Sequence, residues 1–105
     1  MPVKVLLIGG TGPTGPLIVD GLRARGADIT ILHRGAHELP ELADLEHIHA
    51  DPHDPAALEN AVSGRTFDVA VATYGRLKSI ALVLGNRVGH LLAVGGIVET
   101  HTLLR

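Results

Sequence analysis

Val3-Lys4-Val5-Leu6-Leu7-Ile8-Gly9-Gly10-Thr11-Gly12-Pro13-Thr14-Gly15 is the stretch on which the reading of this chain turns. An apolar, β-branched run from Val3 to Ile8 breaks at once into glycines. Gly10, Gly12 and Gly15 fit G-x-G-x-x-G, while Gly9, Gly12 and Gly15 fit G-x-x-G-x-x-G. The segment behind them, Leu17 to Arg25, has helical spacing. Strand, glycine turn and helix in that order is the context that gives such a motif meaning. One glycine permits the tight turn out of the strand. A second, lacking a Cβ, lets a pyrophosphate approach the backbone, and a third lets the helix pack close to the strand. The helix N-terminus then offers N–H groups and the positive end of its dipole to the phosphates. The expectation is a dinucleotide held along Gly9, Gly10, Thr11, Gly12, Pro13, Thr14 and Gly15. The plainer alternative is a glycine turn that only joins a strand to a helix.

Outward from this stretch the alternation repeats. A first helix is expected from about Pro13 to Arg25, burying Leu17, Ile18, Gly21 and Leu22, with Gly26 as its C-terminal cap. Ile29 to Leu32 reads as the second strand and Leu45 to Ala50 as a weak third. Asp54 suits an N-cap with Pro55 at the first helical position, for a helix to Ser63 that buries Leu58, Ala61 and Val62. Phe67 to Thr73 reads as the fourth strand, Leu77 to Leu84 as a helix and Val88 to Val94 as the fifth strand. Connections this long exclude hairpins and argue a parallel α/β sheet. Right-handed crossovers give a doubly wound, Rossmann-like sheet of about five strands in the order 3-2-1-4-5, with a crevice at the carboxyl ends of the first and fourth.

Composition agrees. Of 105 residues, 46% are hydrophobic and 19% charged, so one globular domain over 1–105 is expected. With one Phe, one Tyr and no Trp, the core must come from Val, Leu, Ile and Ala, which suits buried parallel strands. A net charge of −2 gives no electrostatic case for nucleic acid or an anionic membrane. The absence of cysteine fits a cytoplasmic protein. Met1-Pro2-Val3-Lys4 leads straight into a strand, so no signal peptide is expected, and no apolar run reaches the ~20 residues that span a bilayer.

Gly9-Gly10-Thr11-Gly12-Pro13-Thr14-Gly15-Pro16 resembles the cofactor loop of the extended and atypical short-chain dehydrogenase/reductases. It is most similar to their NAD-dependent epimerase/dehydratase and NmrA-like branches. Leu32-His33-Arg34-Gly35 and His49-Ala50-Asp51 strengthen the likeness. It runs from Val3 to about Gly96, the N-terminal part of such an enzyme, so the domain is expected to be truncated relative to the family.

At the tip of the second strand an NAD site usually places an acid for the ribose 2′-OH. This chain has His33 and Arg34, and a guanidinium clamps a 2′-phosphate through charge-assisted hydrogen bonds. Residues and resemblance together favour NADP(H) over NAD(H), against a merely solvated arginine. The resemblance further implies that Asp51, with the backbone of Pro52, meets the adenine edge. A turn aspartate is the equal alternative. It also implies that Thr73, Tyr74 and Gly75 run past the nicotinamide ribose and pyrophosphate.

No catalytic residue is assigned. Tyr74 and Lys78 match the family's Tyr-x-x-x-Lys spacing, but the family's pair lies on the helix after the fifth strand. Where the family places Ser or Thr, this chain has Gly95 and Gly96. Seven histidines raise the question of a metal, with His47 and His49 on one strand face and His53 in the next turn. Exposed strand and loop histidines are the stronger reading, and no metal site is expected. Two function classes follow: the NAD(P)(H)-binding domain of a dehydrogenase- or epimerase-like oxidoreductase, or a non-catalytic NADP(H)-sensing module of the NmrA-like kind. Either would leave the outer edge of the fifth strand to pair with a second copy in a homodimer.

Overall fold

Val5, Leu6, Leu7 and Ile8 are all buried, so neither face of the strand they form meets water. The computed structural model, which describes residues 2–9, 15–35, 44–73 and 77–93, puts that strand at the centre of one sheet. In chain order the elements are β1 (Lys4–Ile8), α1 (Gly15–Ala24), β2 (Asp28–His33), β3 (Glu46–His49), α2 (Pro55–Ala61), β4 (Phe67–Ala72), α3 (Leu77–Leu84) and β5 (Val88–Ala93). The strands run in the order β3-β2-β1-β4-β5 and every pairing is parallel. This is the expected doubly wound, Rossmann-like arrangement. Ile8 sits opposite Leu32 on one side and Ala72 on the other, so β1, β2 and β4 end nearly level.

Alternation along β1 divides the core in two. Leu6 and Ile8, with Leu32, Ala70 and Ala72, pack under Leu58 and Val62 at α2 and Ile80 and Leu84 of α3. Val5 and Leu7, with Ile29, Ile31 and Val71, pack under Val19 of α1. Among the described residues, one helix therefore covers one face and two cover the other. The winding reverses between β1 and β4, the switch point at which open α/β sheets leave a crevice.

Local chemistry places the helices. Asp54 takes an extended conformation and its Oδ1 accepts the amides of Ala56 and Ala57 at 3.0 and 3.3 Å. Pro55 opens α2 where no amide is needed. The expected buried face of α1 needs correcting. Leu17 is 72% exposed and Gly21 is exposed as well, whereas Val19, absent from the expected set, is buried together with Gly15. At 100° per residue Ile18, Val19 and Leu22 form one stripe and Leu17 falls nearly opposite Val19. Observed strand limits differ from the expected ones by about a residue. The expected start of α1 at Pro13 and end of β5 at Val94 lie outside the described residues. Among the described residues no helix is long and apolar enough to cross a membrane.

Leu6→Ala should cost about 2–5 kcal/mol, because it opens a cavity at the centre of the larger cluster. Leu17→Ala should change stability by no more than about 0.5 kcal/mol. Urea unfolding midpoints of the two variants check both values.

Candidate functional site

The end of β1 organises the candidate site. The carbonyl of Ile8 accepts two hydrogen bonds from Thr73, one from its amide and one from its Oγ1, each at 2.9 Å. The next amide, Gly9 N–H, donates to the carbonyl of Leu32 at 2.8 Å. Three strand ends are thereby stitched side by side. Gly9 sits at φ 100°, a conformation that a side chain would strain, and it is there that the chain leaves the sheet. Gly15 is buried at the start of α1, whose first turn carries no acidic residue to oppose an anion. Gly10, Thr11, Gly12, Pro13 and Thr14, expected to cradle the pyrophosphate, lie outside the described residues, as do Tyr74 and Gly75.

The second part of the site is the tip of β2. The amide of Ala50 donates to the carbonyl of His33 at 2.9 Å, which ties this tip to the end of β3. Arg34 is exposed, while His33 is only 2% exposed. The His33 Nδ1 accepts the amide of Gly35 at 3.0 Å. Asp51 closes its own turn: its Oδ1 accepts the His53 amide at 2.9 Å and lies 3.1 Å from the His53 Nδ1. The backbone bond from His53 is the main reason its carboxyl lies below the ordinary 3.8, with the His53 side chain and then the charge of Arg34 adding to it. The Asp51 carboxyl, just after β3, thus feels the charge of Arg34, just after β2. Pro52 is buried beneath this turn.

β3 is a short edge strand laddered to β2, and ion pairs flank it. Arg65 grips Glu46 through both guanidinium nitrogens at 2.7 and 2.9 Å, and the Thr30 hydroxyl donates to the same carboxylate at 3.2 Å. Arg23 of α1 grips Asp44 in the same bidentate way, at 3.1 and 2.7 Å.

The histidines fall together differently from the sequence grouping. His53 turns to Asp51, and His33 joins His47 and His49 instead. The missing signal is register. His33 pairs with His49 across the β2–β3 ladder and Ile31 pairs with His47, which puts all three rings on the α1 side of the sheet.

Comparison with known proteins places this geometry. Residues 9–95 match the model of a family described as NAD(P)H-binding. Among solved structures, a nucleoside-diphosphate-sugar epimerase from Pseudomonas aeruginosa is similar at 27% identity and a TM-score of 0.71, over 89% of this chain and 33% of that one. The enzyme WbmG of Bordetella bronchiseptica, solved with NAD, is similar at 19% identity and a TM-score of 0.70, over 89% of this chain and 37% of that one. The UDP-glucose 4-epimerase of Thermus thermophilus, also solved with NAD, is similar at 26% identity and a TM-score of 0.56, over 70% and 24%. The chain therefore spans at most 37% of the length of these proteins. None of the curated proteins matches it.

The grip on β3 should be visible in acid. Hydrogen bonding from Arg65 is the largest cause holding the Glu46 carboxyl below its ordinary 4.5. A group with a depressed folded pKa stabilises the protein above its unfolded pKa, and that stability is lost as pH falls through the folded value. Stability should therefore decline below about pH 4.5, and Glu46→Gln should flatten the decline. Urea midpoints for both proteins across an acid pH series check the slope.

Proposed function

The chain belongs to the NAD(P)H-binding family, and on that premise we propose that it is the cofactor-binding part of a short-chain dehydrogenase/epimerase-like oxidoreductase. On this reading it is a single domain over residues 1–105, corresponding to the N-terminal part of a longer architecture, and it takes NADP(H) in preference to NAD(H). The supporting observation is the family match over residues 9–95 on a sheet whose β1 carboxyl end lies at the switch point.

The donor set suits such a ligand. Gly9 to Gly15 would carry the pyrophosphate between the end of β1 and the N-terminus of α1. Arg34, exposed beyond the tip of β2, would meet the 2′-phosphate with its planar fork. His33, buried with its ring among other histidines, would set the position of that tip rather than touch the phosphate. Asp51 and the backbone of Pro52 would border the adenine. Thr73, anchored on Ile8, would hold the start of the 73–75 stretch beside the nicotinamide ribose. The nicotinamide supplies hydride chemistry when bound; the chain's own part is to hold and orient it. The outer edge of β5 pairs with no strand among the described residues, and there we place contact with a second copy.

Titration of the purified chain with NADPH and, separately, NADH by calorimetry tests this reading. Saturable binding that favours NADPH is expected, with binding abolished in Gly12→Val. Arg34→Ala should weaken NADPH about ten- to a hundredfold and leave NADH unchanged, as loss of a charge-assisted contact of about 1.5–3 kcal/mol requires. Folded protein that binds neither nucleotide would contradict it.

A further inference from the structure

Three imidazoles converge at the β2–β3 edge. His33, His47 and His49 each present a ring nitrogen such that all three nitrogens lie within 4.8 Å of one another. The His33 Nε2 and His47 Nδ1 are 3.0 Å apart. Both other rings stand edge-on to His33, with centroids at 5.2 and 4.8 Å and interplanar angles of 80° and 90°.

We propose that His33, His47 and His49 bind a divalent transition-metal ion of the zinc class. Neutral imidazole is a ligand such ions favour, and zinc takes it at about 2.0–2.1 Å in tetrahedral geometry. Two nitrogens on one tetrahedral ion stand about 3.3 Å apart. The His33–His47 pair is already close to that spacing at 3.0 Å. With all three nitrogens within 4.8 Å of one another, closing the set to that spacing takes shifts on the order of 1.5 Å. His49 stands at the exposed side of the cluster, edge-on to His33. Three imidazoles leave the fourth position to water.

The bonding pattern defines the exchange that binding requires. Gly35 N–H donates to the His33 Nδ1, so that nitrogen carries a lone pair and the ring proton sits on Nε2, donated to the His47 Nδ1. A metal ion takes the place of that proton between the two nitrogens. His33 changes tautomer, its proton moving from Nε2 to Nδ1, and gives up the bond from Gly35. Proton count is unchanged and His33 stays neutral. Gly35, at φ 90°, is a residue whose peptide can turn to follow.

Calorimetric titration of the untagged chain with zinc chloride, and absorption spectra with cobalt(II), test the site with no nucleotide present. The outcome is therefore independent of the cofactor reading. One ion per chain is expected, with a four-coordinate cobalt spectrum. His49→Ala and His47→Ala should each weaken binding at least about tenfold, while His90→Ala, on β5 at the opposite edge, should bind as wild type. His33 is buried and its replacement threatens folding, so the test rests on the two β3 residues, with circular dichroism to verify that each variant is folded. Absence of saturable binding by the wild type, or undiminished binding by folded His49→Ala and His47→Ala, would overturn the proposal.

Discussion

The carbonyl of Ile8 and the amide of Gly9 face opposite ways, and each closes a bond to a different strand: Thr73 after β4 takes one and Leu32 of β2 the other. The Ile8–Gly9 carbonyl and amide belong to one peptide unit, and the sheet and the glycine turn are arranged around it. The apolar run before them is buried on both faces because it is the middle strand of five. Gly9 lets the backbone turn out of the sheet at a positive φ while its amide still completes the ladder. The turn comes where the helices change faces, α1 on one side and α2 with α3 on the other. A dinucleotide crevice belongs at such a place because strand ends, a glycine turn and a helix N-terminus meet there.

The architecture was legible because two local signals agreed. The Val3–Ile8 run is too apolar for an exposed strand, and strand–helix alternation with long connections leaves few topologies once crossovers are right-handed. Strand ends were less legible, since bonds such as Ala50 N–H to the His33 carbonyl are made across the sheet and leave no mark on composition. Leu17 is misplaced because Leu17, Ile18 and Leu22 also share an arc of helical spacing, whereas the buried stripe of α1 is turned toward Val19. The histidine cluster was not legible as a cluster. Its members are fourteen and sixteen residues apart in pairs with His33, and only the β2–β3 register brings them onto one face.

β3 shows how a weak strand is kept in a sheet. Four residues, two of them histidines and one a glutamate, bury little apolar surface. Arg65 with Thr30 on Glu46, and Arg23 on the nearby Asp44, supply bidentate grips from elsewhere in the chain. The same edge carries Arg34, Asp51 and the three imidazoles. The ribose end of the proposed crevice and the proposed metal site therefore share one ion-paired support, and a change that loosens β3 acts on both.

The most direct test of the central claim is an amide chemical-shift map of the labelled chain with and without NADPH. The shifted amides should gather around the carboxyl ends of the strands: Gly9, Gly15, Arg34 and Thr73. Lys4, Asp28 and Phe67, at the opposite ends of β1, β2 and β4, should stay unmoved. Shifts centred on that opposite end of the sheet, or none at saturating nucleotide, would contradict it.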